Sequence, residues 1–132
     1  MESFKKITII RTKKPQNGNL NAELQWLSIS LGLFNVRDKE RSMFRLFVEL
    51  LKAAKKGEDL QSDELAYKLH LTRGTVVHHL NKLMDAGLVV SSHNKYMLRT
   101  KSLAKLIKEI QNDVNEILNE VEHMGKELDD NI

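Results

Sequence analysis

Residues 62–89, SDELAYKLHLTRGTVVHHLNKLMDAGLV, decide the architecture, because their punctuation predicts two helices separated by a bend. Ser62 is placed to cap the first helix, Asp63 and Glu64 sit against the positive end of its dipole, and Leu65, Ala66 and Leu69 form its inward face. The bend falls at His70 and Leu71. Thr72 is placed to cap a second helix from Arg73 to about Ala86, which Gly87 ends by taking the left-handed conformation. Centring the buried stripe of this helix on Leu80 and stepping about 100° per residue sets Val76, Leu83 and Met84 beside it. Thr75, His78, Lys82 and Asp85 then face away from the core, and Val77 falls at the edge.

Working outward, LVVSSHNKYMLR reads as two short β-runs, Leu88 to Val90 and Tyr96 to Arg99, around the turn residues Ser91, Ser92, His93 and Asn94. Upstream, Asp38 is placed to cap a helix in which Phe44, Phe47, Val48 and Leu51 form one stripe. Met43, Leu46 and Leu50 widen that stripe until Gly57 closes the end. A stripe so wide implies burial against more than one neighbour. Before it, Leu20, Leu24, Leu27 and Leu31 recur at helical spacing, with Asn21 as a cap and a stop near Gly32. SFKKITIIRTKK alternates around Ile7 and Ile9 as a short strand does, and PQNGN at 15–19 ends it. Helix, tight turn, helix and hairpin in that order is the layout of a winged helix-turn-helix. The expected fold is mainly α with a small β-hairpin wing. The chain divides into an N-terminal strand or arm with a short helix at 1–37, a winged helix-turn-helix at 38–99 and a long C-terminal helix at 100–132.

Composition sets the outer bounds. At 132 residues the chain is one domain with an extension, and its few aromatic residues leave aliphatic packing of helices to build the core. It has no cysteine, which excludes disulfide staples and thiolate metal sites. It has neither a long apolar span nor a signal-peptide pattern, so a soluble cytoplasmic protein without a membrane partner is expected. The net charge of +3 is unevenly spread. Residues 1–57 carry twelve Lys/Arg against five Asp/Glu, residues 58–100 five of each, and residues 101–132 four against eight. A basic front suggests an anionic partner, and an acidic tail a solvated or self-pairing helix.

The central segment resembles the DNA-binding core of archaeal and bacterial winged-helix regulators of the arsenical-resistance-repressor (ArsR) and multiple-antibiotic-resistance-repressor (MarR) type. The resemblance rests on E-L-A at 64–66, T-V-x-x-H-L at Thr75 to Leu80, A-G-L-V at 86–89 and the hairpin, and it spans about residues 38–99. It implies a transcriptional regulator that lays residues 71–86 in the major groove of double-stranded DNA. The DNA-binding set is then Thr72, Arg73, Gly74, Thr75, Val77, His78 and Lys82, with Asn94 and Lys95 at the wing tip. Arg73 and Gly74 lie in the first turn, whose free amides favour phosphate. Val77 departs from the family pattern, which often has a small polar residue there, and either packs on a thymine methyl or belongs to the core. Arg99 on the returning strand is a further candidate contact, as are Arg37, Lys39 and Arg41. With no cysteine, the thiolate metal sensing of many ArsR-type proteins has no ligands here, and the effector is not legible.

The tail carries the second signal. Leu103, Ile107, Ile110, Val114, Ile117, Val121, Met124 and Leu128 alternate spacings of four and three, a heptad seam that suits a homodimer. The seam fits a parallel coil or packing on the first helix of the same or a partner subunit, with Leu106 and Leu118 broadening the stripe. His78 and His79 diverge by about 100° on a helix and do not ligate one metal easily, so His79 is assigned to packing or a helix–helix hydrogen bond. Glu120 and His123 stand three apart, but a di-metal site needs a second such pair. No phosphate loop or nucleophile elbow is present, and neither catalysis nor a cofactor is expected. The rival reading is a winged-helix interaction module inside a larger assembly. Such a module would expose apolar or acidic groups where this sequence has Arg73, Thr75, His78 and Lys82.

Overall fold

The computed structural model describes residues 6–16, 18–33 and 41–132. Within them the order is α1 (Leu20–Ser30), α2 (Ser42–Lys55), β1 (Leu60–Gln61), α3 (Ser62–Leu69), α4 (Arg73–Asp85), β2 (Val89–Ser92), β3 (Lys95–Leu98) and α5 (Leu103–Asn131). This is the mainly helical winged helix-turn-helix with a long C-terminal helix that the sequence predicts.

α2 is the centre of the core because both of its sides are apolar. Leu46, Phe47 and Leu50 are fully buried among Leu65 and Leu69 of α3, Val76, Leu80 and Leu83 of α4, and Leu88, Val89 and Leu98 of the hairpin. Asp38, the cap expected for α2, lies outside the described residues; the helix they show begins at Ser42, with Arg41 before it at φ 51°. Two other caps differ from expectation. Asn19 rather than Asn21 caps α1, its side chain accepting from the Ala22 N–H at 2.9 Å, because Asn19 is the last extended residue before the helix. Gln61 rather than Ser62 caps α3 through a capping box, its own N–H donating to Glu64 Oε1 at 3.0 Å, while Ser62 is the first helical residue and is buried.

The sheet is antiparallel in the order β1-β3-β2, with Val89 opposite Leu98 and Ser92 opposite Lys95. Its hairpin turn has two residues rather than the four read from sequence. His93 and Asn94 have φ 53° and 63°, so both occupy the left-handed region that a tight two-residue hairpin turn requires. β1 is an addition, pairing Leu60 with Tyr96 and Gln61 with Lys95. It stitches the start of α3 to the base of the wing.

The strand expected around Ile7 and Ile9 does not form. Residues 6–15 have no neighbouring strand among the described residues and are held by isolated bonds instead: Ile10 N–H to Ser30 O at 2.7 Å, the Trp26 indole N–H to Thr12 O at 3.1 Å, and Lys6 N–H to Asp85 O at 3.4 Å. Ile7 packs on the core while Ile9 and Ile10 stay exposed, so no single face is buried. Gly32 is needed where this arm crosses the end of α1. Its φ is +73°, and a Cβ there would stand 2.6 Å from Thr8 Cγ2.

α5 begins at the cap Ser102, whose hydroxyl accepts from Lys105 N–H at 3.2 Å. Leu106 and Ile110 are buried in the core, and Leu103, Ile107 and Val114 pack against it. Beyond Val114 the helix leaves the body.

Candidate nucleic-acid interface

α4 is positioned by its buried side. Val76, Leu80 and Leu83 are fully buried against α2 and α3, which fixes the rotation of the helix about its axis. His79 locks that rotation at the flank, its Nε2 lying 2.7 Å from the Ser42 hydroxyl of α2, the helix–helix bond expected of it. The bend before α4 is held from two directions. His70 takes the left-handed conformation at φ 56°, and the Arg45 guanidinium of α2 donates to the Leu69 carbonyl at 2.6 Å. Nothing in the sequence spacing of Arg45 distinguishes a cation that satisfies a helix end from one that solvates a surface.

The opposite side of α4 is open. Thr72 Oγ1 accepts from the Thr75 N–H at 3.1 Å and donates to Thr75 Oγ1 at 2.9 Å, so the first turn is capped and Thr75 is held half-buried. Arg73 is exposed and paired only loosely with the equally exposed Asp63, at 3.4 Å. Such an exposed pair contributes at most about 1 kcal/mol and is readily exchanged for a phosphate. A Cβ added at Gly74 would meet nothing within 4 Å, so the glycine is not required by the fold around it. His78 and Lys82 are exposed, and Val77 is half-buried at the edge of the stripe. Asp85, on the same side, lies at the far end, where its carbonyl takes the Lys6 N–H.

The wing tip places Asn94 and Lys95 in solvent, with Lys95 Nζ 3.9 Å from Asp59 and the Ser92 hydroxyl 3.0 Å from His93 Nδ1. Arg99 is placed elsewhere than expected. Its guanidinium turns away from the tip, grips Asp113 of α5 with two nitrogens, and meets Glu109 at 2.8 Å. The hydrogen bond it donates to Asp113 raises its pKa against the opposing effect of burial, so the cation is fixed. The same guanidinium reaches the Gly87 carbonyl at 3.5 Å, which ties the end of α4, the wing and α5 together. Arg37 and Lys39 lie outside the described residues, and Arg41 donates to Gln25 at 3.0 Å.

Away from this face, Glu49 of α2 lies between Lys68 at 3.1 Å and Lys52 at 3.4 Å. Burial acts to raise its carboxyl, yet the two ammonium groups outweigh it and hold the pKa below the usual value. No described helix is long and apolar enough to cross a membrane. Among the described residues no three His, Asp or Glu side chains gather as a metal site would need.

A capped helix presenting threonine, arginine, histidine and lysine on its free side, buttressed by a shorter helix and flanked by a hairpin, defines a winged helix-turn-helix of the DNA-binding class. Residues 48–91 match the sequence profile of the family described as bacterial regulatory protein, arsR family, a regulatory family and not an enzymatic one. The match supports the winged helix-turn-helix of an ArsR-type, DNA-binding transcriptional regulator in this part of the chain. Neither the curated proteins nor the solved structures give a match to the chain.

Proposed function

We propose that this chain is a sequence-specific regulator that reads duplex DNA in the cytoplasm as a homodimer, with α4 in the major groove and the wing tip along the backbone. The observation that supports it most is the free side of α4: Arg73, Gly74, His78 and Lys82 are all exposed, and the N-terminal arm comes near only its far end, where Lys6 and Lys82 line a common cavity. A major groove about 12 Å wide admits a helix whose outward side chains are polar and cationic. His78 and Val77 sit where base edges would be read, while Thr72, Arg73, Lys82 and Lys95 sit where phosphates would lie. Residues 38–99 act as the reading unit and the C-terminal helix as the joining unit, since two half-sites one helical turn apart require two copies held in fixed relation.

The dimer is supported by α5 itself. Ile117, Val121, Met124 and Leu128 are 47%, 61%, 53% and 50% exposed, an apolar row that no described residue of the same copy covers. The reading is tested by binding titrations over a series of salt concentrations. Arg73→Ala and Lys82→Ala each lower affinity and reduce the salt slope by about one if each contacts a phosphate. An unchanged slope for both variants removes them from the interface.

A further inference from the structure

We infer, resting on the DNA reading proposed above, that Asp59 and Asp63 hold down the chain's grip on the DNA backbone. In the protein without DNA their carboxylates engage the cations that the wing tip and the first turn of α4 offer to phosphates. A DNA-reading unit ordinarily carries an excess of cations on the face that meets the duplex. Here residues 58–100 hold five cations and five acids, and four of those acids, Glu58, Asp59, Asp63 and Glu64, fall between positions 58 and 64. Lys68 and Arg99 are tied to carboxylates of α2 and α5, while Arg73 and Lys95 are tied to Asp63 and Asp59. Of the five cations, only Lys82 has no ion pair among the described residues.

The backbone sets both pairings, because aspartate is too short to search for a partner. Asp59 stands one residue before β1, which pairs Leu60 with Tyr96 and Gln61 with Lys95. That register makes Asp59 and Lys95 diagonal neighbours on one face of the sheet, and Lys95 Nζ lies 3.9 Å from Asp59 Oδ1. Asp63 is in the first turn of α3 and Arg73 opens α4, and the bend at His70 folds the two helix starts together at 3.4 Å. The neighbouring acids have other places. Glu64 accepts the Gln61 N–H in the capping box, and Glu58 reaches no cation among the described residues. An acid in the first turn also suits the dipole of α3, but Asp59 is in no helix, so the dipole does not account for both.

Binding to DNA of any sequence comes almost wholly from phosphates meeting cations and releasing counterions. A phosphate that arrives at Arg73 or Lys95 has to displace a carboxylate and then lie close to it, and both steps oppose binding. The side chains placed at base edges, His78 and Val77, have no such competitor. Backbone affinity is therefore lowered for every sequence alike, and a larger share of the remaining affinity rests on the bases.

The test is fluorescence anisotropy of a labelled duplex of random sequence, titrated with the full-length protein at low and high salt. Asp59→Asn and Asp63→Asn each bind about two- to five-fold more tightly than wild type at low salt, which is what an exposed ion pair usually contributes. The double variant binds more tightly than either, and the gain shrinks as salt screens the charges. Asp63→Glu, which keeps the charge, stays near wild type. The gain from Asp63→Asn is smaller in an Arg73→Ala background than in a Lys82→Ala background, since Arg73 is the cation that Asp63 holds. An equal gain in both backgrounds reduces the effect to net charge and overturns the inference. Unchanged or weaker binding by the Asn variants means that the carboxylates position the cations for DNA, and it also overturns the inference while leaving the DNA reading intact. A wild type and variants that bind no duplex at any salt overturn both.

Discussion

The clasp of Arg99 on α5 gives the sharpest prediction about how the reading unit and the joining helix are coupled. Arg99 and Asp113 are only 20% and 17% exposed, so their pairing is screened far less than a surface ion pair. A hydrogen bond to a charged group contributes about 1.5–3 kcal/mol, and two nitrogens of Arg99 engage Asp113 while Glu109 holds the third. Asp113→Asn keeps the shape and leaves Glu109 in place, so the expected loss is about 2 kcal/mol. Arg99→Ala also strands Asp113 and the Gly87 carbonyl, and should lose about 3 kcal/mol. Because the two changes remove the same contact, the double variant should lose little more than Arg99→Ala, a coupling of about 1.5–2 kcal/mol. Urea denaturation at one fixed protomer concentration measures this, with a midpoint shift near 1 M expected for Asp113→Asn at a slope of about 2 kcal/mol/M. Strictly additive losses would refute the clasp. If Arg99 serves α5 rather than phosphate, the salt slope of DNA binding is unchanged in Arg99→Ala.

Three further outcomes are expected. Glu49 has a folded pKa below its unfolded value, so the unfolded chain binds more protons as pH falls; the stability it adds is full above about pH 4.5 and is lost as pH drops through the folded value. Urea midpoints between pH 3 and 6 should therefore fall more steeply for the wild type than for Glu49→Gln, and parallel curves would remove Glu49 from acid sensitivity. Gly74→Ala meets no atom in the fold and should leave stability unchanged or raise it by up to about 1 kcal/mol, while weakening DNA binding if the backbone of the first turn approaches a phosphate. Gly32→Ala should do the reverse, costing at least about 1 kcal/mol through its positive φ and its contact with Thr8, with faster amide exchange at Ile10 as the arm loosens.

The central unit was legible because its signals are local. Thr72 before a polar-apolar alternation and Gly87 after it mark α4 at both ends, and the 3.6-residue period of Val76, Leu80 and Leu83 orients it. What escaped depends on partners distant in sequence. Ile7 and Ile9 alternate as a strand would, yet a strand needs an edge to pair with, and the backbone partners the arm finds among the described residues are the ends of α1 and α4. β1 is two residues long and exists only because Tyr96 and Lys95 pass beside it. Asn19 and Gln61 outcompete Asn21 and Ser62 as caps by standing one position before the helix proper, a margin within the usual uncertainty of helix boundaries. Arg99 reads as a wing cation until the return of α5 brings Glu109 and Asp113 to it. The heptad spacing marks a long C-terminal helix, which runs on through Asp129 and Asp130 to Asn131 where the sequence suggests fraying, but a period does not distinguish a helix buried in its own subunit from one awaiting a partner.

Whether the solvent-facing side of α4 meets base pairs is measured most directly by the DNA that purified protein selects from a genomic pool, with wild type and His78→Ala compared. The wild type is predicted to enrich a two-fold motif with half-site centres about 10 base pairs apart, and His78→Ala to relax one position in each half. Enrichment of no sequence over bulk DNA, or an identical motif from the variant, would contradict it.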